Sequence, residues 1–254
     1  MMHRTTAASL VCVLVFSLLL LTPLSPRRWA SGGEVQQKAT TPVQNIVIGF
    51  VGGFVNQDNP VHAEVQLAAR LRKAYSSGLD VETFQDHHVK LAHEKILSLL
   101  SGNSRSAPTP DEKRNPIIVL YGHSWGGAAS LELARALQKD GIPVKLTIQV
   151  DSISRYGDND SLIPANVLQA ANFYQTQGIL HGIRHIHAVD PSHTQIIGNF
   201  RFDYSHSSLK CESYPWWDRY IVKAHTQIEC DPVVWNKVEA LIREALPPPV
   251  ATAK

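Results

Sequence analysis

The residues best suited to chemistry in this 254-residue chain are Gly122-His123-Ser124-Trp125-Gly126, a G-x-S-x-G pentapeptide. They follow the continuous apolar run Ile117 to Tyr121, which reads as a strand buried on both faces. A helical pattern through Ala128, Leu131, Ala134 and Leu137 comes next. Strand, tight turn and helix in that order are what a nucleophile elbow requires. The serine occupies a strained turn, glycines two positions either side admit neighbouring backbone, and the hydroxyl sits at a helix N-terminus where N–H groups stabilise developing negative charge. Gly127 would allow the helix to pack closely. The plainer alternative is a structural glycine-rich turn.

Two other clusters carry chemically capable side chains. His181, His185, His187, His193 and Asp190 fall within thirteen residues, and His185 and His187 would share a face of a strand running from Ile183 to Val189, a candidate metal site. No HExxH or similar metallohydrolase spacing accompanies them. Tyr214-Pro215-Trp216-Trp217-Asp218-Arg219-Tyr220 reads either as the lining or flap of an apolar pocket or as aromatic packing.

These residues need elements to hold them. Asn45 to Val51 is a β-branched buried strand, Val61 to Tyr75 a helix ended by Gly78, Leu79 to Phe84 an alternating strand and His88 to Leu100 a second helix. Residues 101–116 are polar and proline-interrupted, a surface connection. After the elbow helix, stopped by Gly141 and Pro143, Val144 to Val150 is a further strand. This alternation predicts an α/β fold, a three-layer αβα sandwich around a mostly parallel sheet. Val167 to Gln175 and Ile183 to Val189 are weaker strand candidates, and 191–220 reads as loop. Asp231 as N-cap and Pro232 at the first helical position open a terminal helix ending before Pro247.

On the elbow and its flanks, the chain resembles the α/β-hydrolase superfamily, in particular its small serine lipases, esterases and thioesterase-like members, from about Gln44 to Leu246. The resemblance implies a triad in the chain order serine, acid, histidine, since a serine hydroxyl needs an imidazole base held in one tautomer by a carboxylate. His225, shortly before the terminal helix, looks like the family's loop-borne catalytic histidine, with His206 and His193 next in line. Asp151 follows the Val144 to Val150 strand, where some lipases of the superfamily carry the acid. Asp190, after the later strand candidate, is where most members place it. Asp151 is favoured because its strand end is unambiguous. The oxyanion hole would use the backbone N–H of Trp125 and one from Gly52-Gly53-Phe54, the loop after the first strand, with Gly53 and Phe54 the leading candidates. With few residues between Asp151 and Val167, no large cap domain is expected.

Composition sets the compartment. The chain is 44% hydrophobic and 18% charged, enough for a sizeable core. Residues 1–30 hold Arg4, Arg27 and Arg28 and no acid, an apolar run from Ala7 to Leu21, then Pro23 and Pro26, which reads as a signal peptide or a retained N-terminal anchor. Residues 31–254 then form a single domain, with 21 basic and 22 acidic residues, a net charge of −1. Such a body offers no footprint for nucleic acid or anionic membrane. It also keeps an even pair, Cys211 and Cys230, a disulfide candidate in an oxidising compartment that would flank His225, with two buried thiols as the plainer reading.

The expectation is a secreted or periplasmic monomer without cofactor or metal, acting on a small-molecule or lipid ester or thioester. A metal-dependent hydrolase built on the 181–193 histidines and a non-catalytic binding protein are the alternatives.

Overall fold

The computed structural model describes residues 45–155, 157 and 159–249. The expected signal peptide or anchor, residues 1–30, lies outside the described residues. The apolar segments β1 (Asn45–Val51), β3 (Ile118–His123), β4 (Val144–Val150) and β6 (Val167–Tyr174) supply the middle of a sheet, and the alternating β2 (Leu79–Gln85) one edge. With β8 (Gln195–Arg201) they form six strands in the order β2-β1-β3-β4-β6-β8, every neighbouring pair parallel. Parallel strands need crossovers, and these run through α1 (Ala63–Ala74), α2 (Val89–Leu100) and α4 (Trp125–Lys139).

The period of two along each strand sorts side chains onto two faces. Val47, Val119, Tyr121 and Ile148 point to one, where they meet Leu67 and Leu71 of α1 and Val234, Trp235, Val238 and Ile242 of α7 (Pro232–Ala245). Ile46, Ile48, Phe50 and Leu120 point to the other, against Ile96 of α2 and Leu131, Ala134 and Leu137 of α4. The result is the three-layer αβα sandwich around a parallel sheet. Between β1 and β3 the strand order reverses direction, which opens a crevice at their carboxyl ends. The Gly52–Phe54 loop and Ser124 both lie there.

Within the connections, 101–116 holds a single turn of helix, α3 (Pro110–Arg114), fixed by a capping box between Thr109 and Glu112. Among the described residues of 151–166 the two-residue β5 (Leu162–Ile163) is the one regular element, and sixteen residues leave no room for a large cap domain. Asp231 caps α7 through the Val233 N–H at 2.8 Å, with Pro232 at the first helical position.

Two sequence expectations fail. Ile183 to Val189 is not a strand of the sheet: only β7 (His187–Ala188) is extended, and it pairs with β5. The sixth strand is β8, inside the region read as loop. It sits at the sheet edge, is half-buried along its length, contains Gly198 and is out of register opposite Ala170 and Ala171. An edge strand paired on one side needs no continuous apolar run, so its hydrophobic signal is weak. The second failure is at 216–230, where α5 (Trp216–Ile221) and α6 (Lys223–Cys230) replace the expected loop. Every residue of α6 from Ala224 to Glu229 is buried, polar ones included, which erases the one-sided pattern that reveals a surface helix.

Candidate active site

Ser124 joins β3 to α4 at φ 55°, ψ −127°, a conformation that costs a non-glycine residue free energy and that the surroundings must enforce. The enforcement is steric. A Cβ on Gly122 would lie 2.3 Å from the Gly126 carbonyl oxygen, and one on Gly126 would lie 2.2 Å from that of Phe50. With both positions bare, the turn closes tightly enough for α4 to start at Trp125 against the end of β1. The Ser124 N–H donates to the Val150 carbonyl at 3.0 Å, and the Ser124 carbonyl accepts from the Ile153 N–H at 3.2 Å. The elbow is thereby tied to the backbone on both sides of Asp151.

Asp151 also has a positive φ, 43°, and its side chain is fully buried. Its carboxylate accepts from His225 Nδ1 at 2.7 Å, Gln175 Nε2 at 2.8 Å and the Gly182 N–H at 2.8 Å. Burial by itself would raise the acid's pKa, but the His225 bond and charge, Gln175 and Gly182 together outweigh it and hold the pKa below the ordinary carboxylate value. Asp151 is therefore a fixed anion. Because it receives the Nδ1 proton of His225, it leaves Nε2 as the basic nitrogen.

His225 lies in the first turn of α6, not in a loop. The helix is braced at its start by Thr226 Oγ1 donating to the Asp218 carbonyl at 2.9 Å, and at its end by the Cys211–Cys230 disulfide, whose Cα atoms are 5.8 Å apart. The other candidates lie elsewhere. His193 and His206 are exposed. Asp190 accepts from the N–H and hydroxyl of Ser192 at 3.0 and 2.6 Å, the arrangement of an ordinary turn carboxylate.

On the oxyanion side, Trp125 is the first residue of α4, where an N–H has no partner within the helix. Across from it, Gly53 lets the Trp125 ring lie against the β1 loop, since a Cβ there would come within 2.2 Å of the indole. Phe54, at φ 63°, sends its ring out to 5.5 Å from that indole.

The histidines of 181–193 do not converge: His181, His185, His187 and His193 are all exposed. Among the described residues, the trio whose nitrogen and carboxylate atoms approach within 4.8 Å is His62, Glu64 and Glu229, in the interior. There His62 Nδ1 is already bonded to Glu229 Oε1 at 2.5 Å. Sequence reasoning missed this trio, and it also missed Gln175 and Gly182 as partners of the acid. Gln175 could have been found as the polar residue closing the strand beside β4. Gly182 could not, because it acts through its backbone N–H, and the glycine is needed only because a Cβ would strike the Asp151 backbone at 2.3 Å.

No protein-family model matches the chain, and no curated protein matches it. Among solved structures, it is similar to one described as a candidate α/β-superfamily hydrolase from Xanthomonas campestris pv. campestris, with 13% identity over 79% of this chain and 99% of that one and a TM-score of 0.39. It is also similar to Est1E from Butyrivibrio proteoclasticus, with 12% identity over 82% and 90% of the two chains and a TM-score of 0.38.

Proposed function

We propose that this chain of α/β-hydrolase architecture is a serine hydrolase that cleaves carboxylic ester or thioester bonds through an acyl-Ser124 intermediate. The observation that carries the reading is the His225–Asp151 hydrogen bond at 2.7 Å, formed beside a strained serine whose backbone is bonded on both sides of that aspartate.

In this reading His225 Nε2 takes the Ser124 proton as Oγ attacks the carbonyl carbon, and the Trp125 N–H with one from Gly53 or Phe54 receives the oxyanion. The imidazolium returns its proton to the departing alcohol or thiol. Water, deprotonated by the same nitrogen, then releases the acid and restores Ser124. Asp151 holds the tautomer and balances the imidazolium charge throughout. No step calls on a metal or organic cofactor.

An apolar acyl or alcohol group is the substrate class that the surroundings favour. Exposed apolar side chains stand on segments that serve this edge: Phe54 after β1, Ile179 between Gln175 and Gly182, and Trp216, Trp217, Tyr220 and Ile221 just ahead of His225. The Tyr214 to Tyr220 aromatics divide between the two roles open to them. Tyr214 is buried as packing, and the α5 residues face solvent.

The test is labelling by a fluorophosphonate probe. Wild type should react and Ser124→Ala should not, and a panel of nitrophenyl esters of increasing chain length should then rank the acyl preference. Labelling that persists in Ser124→Ala would overturn the reading.

A further inference from the structure

Behind the proposed triad lies a second layer of ionisable side chains that the acyl-transfer steps do not use. Glu229 is one helical turn beyond His225 on α6 and is buried with it. One carboxylate oxygen accepts from His62 Nδ1 at 2.5 Å, and the other lies 3.4 Å from His123 Nδ1. His123, the residue before the nucleophile, stacks its ring 4.4 Å from that of His225 at an interplanar angle of 33°. A carboxylate, a neutral imidazole and the base are thus arranged in series.

Resting on the hydrolase reading above, we propose that Glu229 is a positioning residue and second anion for the catalytic imidazole: it anchors the His123 ring against His225 and steadies the imidazolium formed during acyl transfer. The need for a second anion follows from the first. Asp151 already spreads its charge over Gln175 and Gly182 as well as His225, and the imidazolium forms where water is largely excluded.

The charges in this layer are arranged for that role. Burial, and then the neighbouring Glu229, push the Glu64 carboxyl well up, so it holds its proton and adds no second negative charge. Burial lowers His123 to about 4 despite Glu229, so its ring stays neutral and does not compete with His225 for a positive charge. Glu229 itself is held low: burial opposes its charge, but His123, His62 and His225 outweigh that cost. Facing it are His62 from the start of α1, His123 from β3, Glu64 from α1, Tyr214 ahead of α5 and Asp218 on α5. Tyr214 and Glu64 are kept protonated, and His62 Nδ1 engages the carboxylate directly.

The experiment compares pH–rate profiles. Glu229→Gln removes the charge with little change of shape, which disfavours the imidazolium. The expected results are a kcat lower by about tenfold, a KM within about twofold, and an acidic limb of the kcat/KM profile displaced by about one unit to lower pH. His62→Gln removes the imidazole that engages Glu229 Oε1, leaving more of the carboxylate's charge to act on the His123–His225 pair, and should displace the limb the other way. It also keeps the proposal falsifiable if Glu229→Gln does not melt cooperatively. In a Ser124→Ala background, the ring resonances of His225 followed by NMR should show the same two displacements without any turnover. Limbs and resonances that stay put in folded variants, or kcat and KM that deteriorate together at an unmoved limb, would overturn it. Because the NMR readout needs no hydrolysis, a failure of Ser124 labelling would count against the hydrolase reading alone.

Discussion

Asp151 and Asp190 are both aspartates after a predicted strand, yet their surroundings differ in kind. Asp151 is fully buried and bonded to an imidazole, an amide side chain and a backbone N–H, whereas Asp190 is engaged by the serine two residues on. Asp151→Asn should therefore lower kcat by about 10⁴, the scale of losing the correct tautomer in a triad, while Asp190→Asn should leave turnover on a short nitrophenyl ester near wild type. His123 carries a separate consequence for stability. Its folded pKa, near 4, lies below the value of about 6.5 for a free histidine, so the unfolded chain takes up a proton that the native chain refuses. Its contribution is fully present above pH about 6.5 and declines as pH falls toward 4. Glu64, raised by burial, acts in the opposite sense over part of that range. The difference between wild type and His123→Gln isolates the first effect: the stability gap measured by urea unfolding should change by up to about 1.4 kcal/mol per pH unit within that window.

At the scale of elements, the strand–elbow–helix unit depends on how closely α4 approaches the carboxyl end of β1. The bare Cα atoms of Gly122 and Gly126 permit that approach. Gly126→Ala would drive a methyl group into the Phe50 carbonyl, and with backbone on both sides neither partner can yield cheaply. A loss of about 3 kcal/mol is expected, seen as a fall of roughly 6–12 °C in the melting temperature. Activity should fall further than stability, by about 10²-fold, because a shift of an ångström at the nucleophile spoils the attack geometry. The same element was readable from sequence because its requirements are local: an apolar run, a glycine–serine–glycine turn and a helical period. α6 was not readable, because its polar residues His225, Thr226, Gln227 and Glu229 are all buried by neighbours distant in sequence.

For the whole molecule, the Cys211–Cys230 disulfide ties the segment ahead of α5 to the end of α6 and so closes a loop around His225. Opening a loop of this length should cost about 3 kcal/mol. Mild reductant should lower activity at temperatures below the melting transition, because α6 loses its brace before the sheet loses its core. A parallel assay of turnover and near-UV circular dichroism against reductant concentration checks this. Sequence alone determined the α/β class, the first four strands and the strand–turn–helix setting of Ser124, because each follows from spacing along the chain, while the short list Asp151, Asp190, His225, His206 and His193 came from the family resemblance. Tertiary structure decided the rest. The Asp151–His225 bond, the helical setting of His225, the close approach of Gly182 and the Glu229–His62–His123 layer all depend on groups that meet across 24 to 167 residues of chain. Only the packing of the sheet's two faces brings such groups within a hydrogen bond of each other, and the low polarity of that interior gives their charges consequence.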